Sequence, residues 1–142
     1  MAITFQNKDI ALRLPGRMRI KAWIRRVLKQ EGKKEGEINF VFTSDEHLHE
    51  VNLQYLSHDT YTDIITFDQT EGLKVSGDIM ISVDRVKDNA GKFKSGFEDE
   101  LRRVIIHGVF HLCGYKDKTA AEEKTMRIKE NEALRIYELI PD

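Results

Sequence analysis

Two histidines, His107 and His111, stand four residues apart inside a run reading Val104, Ile105, Ile106, His107, Gly108, Val109, Phe110, His111, Leu112, Cys113, Gly114, Tyr115, Lys116, Asp117. On a helix that spacing puts both imidazoles on one face, one turn apart. Leu101, Val104, Ile105, Val109 and Leu112 make a second, apolar face, and Ile106, Phe110 and Cys113 a third. A helix apolar almost all round is a buried one. Buried imidazoles need partners, because an unsatisfied buried polar group costs about 1–3 kcal/mol. A shared metal ion satisfies both at once; the alternative is a pair of core histidines bonded to protein groups. Five histidines in 142 residues produce such a pair easily by chance, so the neighbours decide. Gly114 suits a left-handed helix end, after which three residues bring Asp117 back towards the pair. Two His and one carboxylate form a catalytic zinc set that leaves a fourth position open. The Glu that follows the first His in HExxH proteases is Gly108 here, which disfavours peptide hydrolysis by that route.

Other blocks of the chain share a pattern with this one. Asn52-x-x-Tyr55 is followed by Asp59-x-x-Thr62-Asp63-Ile64-Ile65-Thr66-Phe67, and then by Ser76-Gly77-Asp78-Ile79-x-Ile81-Ser82. With His107-Gly-x-x-His111-Leu-x-Gly114-Tyr115, these resemble the YbeY family of rRNA maturation endoribonucleases, in the same order and over nearly the whole chain. The resemblance implies a zinc-dependent, single-strand-specific endoribonuclease acting in rRNA processing and ribosome quality control. Its partners would be RNA, above all rRNA, the small ribosomal subunit and ribosome-associated proteins. It also implies His107, His111 and Asp117 as ligands of one Zn2+ per chain. Asp117 stands where the family usually has a third His, Lys116 where it usually has Asp, and Leu56 where it usually has Arg. Aspartate is a competent zinc ligand, at about 2.0–2.2 Å. The phosphate contact that an arginine at position 56 would make falls to other groups, with His58 or a nearby Lys as candidates. Two further readings stay open: a non-catalytic ribosome assembly factor whose zinc is structural, and a metal-dependent hydrolase of another substrate.

The elements that must carry these residues follow from patterning. A chain of 142 residues with 40% hydrophobic content, two prolines and no low-complexity run suits one domain over residues 1–142. No apolar run approaches a membrane span, and no secretory leader is evident. The single cysteine, Cys113, fits a reducing, cytoplasmic compartment; it reads as a small core residue rather than a ligand. Ile3 and Phe5 suggest a first strand. Pro15-Gly16 introduces a helix over 17–30, with Ile20, Trp23, Ile24, Val27 and Leu28 as its core stripe. Nine basic residues fall between positions 13 and 34 against one acid, Glu31. Of these, Arg17, Arg19, Lys21, Arg25 and Arg26 are candidates, with His58, to follow an RNA backbone; a solvated helix face is the bland alternative.

Strands are expected at 37–43, 63–68 and 75–82, the last two as a hairpin. Thr43-Ser44-Asp45-Glu46, Ser95-Gly96-Phe97-Glu98 and Thr119-Ala120-Ala121-Glu122 read as capping boxes that open helices, and Ser82 caps another over 83–93. Met126, Ala133, Leu134 and Tyr137 should face inward from the final helix, with Glu122, Glu123, Glu130 and Glu132 solvated; His47 and His49 read as surface residues. The order βαβαββααα predicts an α+β fold, a small mixed sheet packed with helices around a central, zincin-like metal helix.

Overall fold

Why the helix carrying His107 and His111 lies against a sheet is visible in one residue, Gly108. A Cβ there would come within 2.9 Å of both Ile64 Cδ1 and Ile79 Cγ2. Helix and sheet therefore touch backbone to side chain at the turn that carries both histidines. In the computed structural model, which describes residues 2–142, the elements are β1 (Ile3–Asn7), α1 (Arg17–Gln30), β2 (Lys34–Thr43), α2 (Asp45–Leu56), β3 (Ile64–Asp68), β4 (Lys74–Ser82), α3 (Val83–Lys92), α4 (Phe97–Leu112) and α5 (Ala120–Leu139). The expected order of elements is the one found.

The four strands form one mixed sheet in the order β1-β2-β4-β3. β1 and β4 run parallel to β2, while β3 pairs antiparallel with β4 as the expected hairpin. Register pairs Phe5 with Phe40 and Phe40 with Ile79, so one face of the sheet is continuously apolar. Against that face pack all five predicted core residues of α1, together with Leu101, Val104, Ile105, Val109 and Leu112 of α4. Trp23 is wholly buried, and its indole N–H donates to the Ala133 carbonyl of α5 at 2.6 Å. A smaller cluster, Leu48, Val51 and Ile65, packs α2 against the opposite face. α4 lies between α3, α5 and the β3–β4 hairpin, which makes it the central helix of the α+β fold.

Two of the expected caps are elsewhere. Thr43 is a buried strand residue whose hydroxyl donates to Asp9, so the cap of α2 is Ser44, which accepts from the His47 N–H. α4 is capped by Gly96 without a side-chain bond, and the Ser95 N–H closes the end of α3 on the Ala90 carbonyl. The box at Thr119 forms in full, and Ser82 caps α3 as expected. His47 and His49 are half-buried rather than free surface groups, with His49 stacked on Tyr61 and bonded to Asp59.

Gly108 yields a direct prediction. Gly108→Ala gains up to about 1 kcal/mol of helix propensity but overpacks a close contact, at a cost of about 1–3 kcal/mol. The expected net result is a loss of about 1 kcal/mol in chemical unfolding; a variant more stable than the parent would show that the helix does not sit this close to the sheet.

Candidate metal centre

His107 and His111 occupy successive turns of α4. How α4 ends decides where the third residue goes. The Gly114 N–H donates to the His111 carbonyl at 3.0 Å and the Tyr115 N–H to the Phe110 carbonyl at 3.0 Å, with Gly114 at φ +103°. This is the paired closure of a Schellman motif, and the Phe110 and Tyr115 rings pack edge-on at 5.5 Å beneath it. Five residues beyond Gly114, Thr119 opens α5 with its capping box, in which the Glu122 carboxylate accepts from the Thr119 N–H. Asp117 is held in the short turn between these two fixed ends. Its Oδ2 lies 3.1 Å from His107 Nε2 and 3.3 Å from His111 Nε2, and the two Nε2 atoms are 2.9 Å apart.

The remaining nitrogens determine what these three atoms are. His107 Nδ1 faces Glu130 Oε2 at 2.6 Å, and His111 Nδ1 faces the Tyr115 carbonyl oxygen at 2.9 Å. Both partners only accept, so each Nδ1 carries a proton and donates it. In the neutral rings both Nε2 atoms then present lone pairs to each other and to a carboxylate oxygen. Three electron-rich atoms converging in this way repel unless a cation lies among them, either a proton on His107 or a metal ion. His–carboxylate and His–carbonyl bonds of this kind are what orient metal-bound imidazoles. Donor type, convergence and the bonds behind the rings fit a divalent cation. Among the described residues no fourth His, Cys, Asp or Glu joins the cluster. Cys113, whose thiol is pushed up to about 11 by burial, is outside it.

Glu130 was expected to be solvated, and the structure corrects this: it is buried, and it joins the two helices at the site. Arg103 donates to Glu130 Oε1 at 2.9 Å and to Asn131 Oδ1 at 2.9 Å. Burial raises the Glu130 pKa, but the hydrogen bonds from His107 and Arg103 outweigh it and hold the carboxylate below its ordinary value. Burial likewise opposes charge on His107, and the bond to Glu130 with the charges of Glu130, Asp117 and Asp63 overcomes it, raising the imidazole pKa.

A cavity of about 600 Å³ opens beside the cluster, between α3, α4 and α5, and His107 and Asp117 lie in its wall. Asp63 is also there. Its backbone carbonyl accepts from the Ser82 N–H, and the preceding loop is pinned by Asn52, whose amide donates to the Thr60 carbonyl at 2.9 Å. Burial raises the Asp63 pKa, with His107 opposing. Five carboxylates and three basic side chains line the cavity, so without a cation its charge balance is acidic.

The basic residues of α1 do not line this cavity. Arg19 donates to Asp142 and to the Tyr137 carbonyl, and Arg25 to Glu35, while Arg17 and Arg26 are exposed and Lys21 is half-buried. His58 is exposed beyond the end of α2. The cavity's own cations are Arg103, Lys124 and Arg127, none of which stands out in the sequence.

The α+β fold thus brings two histidines and a carboxylate together as a group that could hold a metal ion, with His107 and Asp117 facing an open cleft. The family model described as Endoribonuclease YbeY matches residues 2–138, and the chain belongs to that family. It is 48% identical over 131 residues to the Endoribonuclease YbeY of Flavobacterium johnsoniae, covering 92% of this chain and 94% of that one. To the Endoribonuclease YbeY of Parabacteroides distasonis it is 50% identical over 136 residues, 96% of each. The solution structure of TM1509 from Thermotoga maritima superposes with a TM-score of 0.65 at 26% identity, covering 96% of this chain and 89% of that one.

Proposed function

We propose that this chain is a zinc-dependent endoribonuclease, a single catalytic domain that cleaves single-stranded RNA in rRNA processing. The observation that carries this reading is the convergence of His107 Nε2, His111 Nε2 and Asp117 Oδ2 at the wall of an open cavity, in a chain of the YbeY family. Three protein ligands leave a coordination position for water or substrate, whereas structural zinc sites are normally closed by four. That favours catalysis over a purely structural metal. A zinc ion there supplies Lewis-acid polarisation of a phosphoryl oxygen and lowers the pKa of water.

The side chains do the rest. Glu130 and the Tyr115 carbonyl hold the Nδ1 protons, which leaves both Nε2 lone pairs free for the cation that they and Asp117 would hold. Arg103 balances the buried Glu130 charge. Asp63 is a further carboxylate in the same cavity, within reach of what binds there, and burial raises its pKa. Lys124 and Arg127 offer positive charge to phosphates, and because carboxylates outnumber bases in the cavity, RNA should bind far better with the cation in place. rRNA of the small ribosomal subunit is the substrate this reading favours, in the cytoplasm with ribosome-associated proteins. Among the described residues no helix is long and apolar enough to cross a membrane.

The experiment is cleavage of matched single-stranded and duplex RNA by zinc-loaded protein. We expect at least tenfold faster cutting of the single strand. Zinc-loaded protein that cuts neither substrate contradicts the reading.

A further inference from the structure

The wall of the metal cavity continues from His107 and Asp117 to the C-terminal end of α3, where two side chains have no role in holding a cation. Phe93 caps α3, lines the cavity and is 64% exposed. Asn89 stands one turn earlier on the same side of the helix, also in the cavity wall, and its side-chain amide makes no hydrogen bond among the described residues. The platform is well anchored. The Phe93 N–H donates to the Asn89 carbonyl at 2.9 Å, and the Ser95 N–H reaches back to the Ala90 carbonyl at 3.0 Å. That closure holds Lys94 in the left-handed region, at φ +53°. Across the cavity, α5 presents Lys124 and Arg127, both exposed and three residues apart on one face. Lys124 makes no ion pair among the described residues, and the carboxylate paired with Arg127, that of Glu130, is 3.9 Å away.

We infer that Phe93 and Asn89 form a subsite for one unpaired nucleobase beside the metal centre, Phe93 stacking on the base and Asn89 bonding to its edge, while Lys124 and Arg127 hold the adjoining phosphates. The inference rests on the endoribonuclease reading and gives it a source of single-strand preference. An exposed aromatic face in a cleft lined mostly by polar and charged side chains is unfavourable in water, and every base has a π-face to cover it. In a duplex those faces are already stacked, so only a splayed-out base can reach the ring. A primary amide offers a donor and an acceptor side by side, the pairing that base edges present. Lys124 and Arg127, both exposed in the cavity wall, can neutralise backbone charge.

The test uses zinc-loaded full-length protein and a short single-stranded RNA, with an abasic residue moved through it one position at a time. For the parent protein we expect one position at which loss of the base weakens binding about tenfold. Phe93→Ala should raise KM about tenfold on the intact RNA, leave kcat nearly unchanged and be indifferent to the abasic substitution at that position. Phe93→Trp should restore parental KM. Because the ring is exposed, Phe93→Ala should melt with the parent, which separates loss of the subsite from loss of the fold. Phe93→Ala that cuts with parental KM, in an assay where the parent cleaves RNA, overturns the subsite and leaves the nuclease reading intact. A parent that neither binds nor cuts RNA overturns that reading, and the subsite with it.

Discussion

His111→Ala is expected to lose its metal and to lower RNA cleavage by at least about a thousandfold. Lewis-acid stabilisation by a bound metal is worth several kcal/mol at the transition state, and about 4 kcal/mol corresponds to a factor near a thousand. The residue is chosen because its other contacts are modest. Its Nδ1 bonds only a backbone carbonyl at the exposed end of α4, and the side chain is half-buried. The variant should therefore fold, with a melting temperature close to that of metal-free parent. Elemental analysis of untagged protein gives the first readout, and the cleavage rate gives the second. A variant that retains one metal per chain, or one that lacks metal and still cuts at the parental rate, contradicts the assignment of His111.

Glu130→Gln carries the second large effect, and it acts on stability and metal together. The buried carboxylate accepts from Arg103 and from His107, so replacing it with an amide leaves a partly buried guanidinium without its counter-charge. Breaking one side of such a pair costs about 3 kcal/mol or more. Losing the carboxylate behind a metal-binding imidazole lowers metal affinity about 10–100-fold. Arg103 still has Asn131 as an acceptor, which places the stability loss at the lower end.

The metal-free protein adds a pH signature to the same pair. The pKa of His107 is raised above its ordinary 6.5 in the fold. Its charged form therefore contributes stability that is complete below that value and is lost as pH climbs through the raised pKa. Glu130 is held below its ordinary 4.5. Its contribution is present above that value and disappears as pH falls through the lowered pKa. The pair thus stabilises metal-free protein most between about 4.5 and 6.5. The difference in unfolding free energy between parent and Glu130→Gln should peak in that window and shrink on both sides. A difference that is flat with pH would mean that the His107–Glu130 bond contributes nothing through charge.

Glu130 also shows what the sequence could and could not reveal. Met126, Ala133 and Tyr137 were rightly placed on the inner face of α5, and all three are buried. Position 130 lies on that same stripe, four residues after Met126 and three before Ala133. A carboxylate on a buried stripe needs a cation or a donor, and two histidines on the neighbouring helix were already in view. The signal is periodicity, and it outweighs the general tendency of helix glutamates to be solvated. Asp63 stands in one of the blocks that carry the family resemblance, but nothing in its spacing ties it to the histidines. It lies in no periodic pattern, and what brings it to the cavity is the long-range bond from its carbonyl to Ser82 and the Asn52 clamp on its loop.

The element order and the amphipathic stripe of α1 are legible because hydrophobic spacing, together with capping and turn residues, marks where each element lies. Thr43 does not cap α2 because it is a buried position of β2 whose hydroxyl donates to Asp9, and α4 starts from Gly96 rather than Ser95. The basic run on α1 was legible as charge but not as location. Arg19 and Arg25 are engaged with their own chain, whereas Lys124 and Arg127, dispersed among the acids of α5, reach the cavity. Charge density along a sequence does not say which helix faces the cleft.

The central claim is that His107, His111 and Asp117 together hold the one cation on which cleavage depends. The most direct measurement is a titration of stripped, untagged protein with zinc while its cleavage of a single-stranded RNA is followed. No cleavage is expected at zero zinc, with a rate that rises in proportion to added metal and breaks at one equivalent per chain. Full activity in the stripped protein, or an activity that ignores the first equivalent, would contradict it.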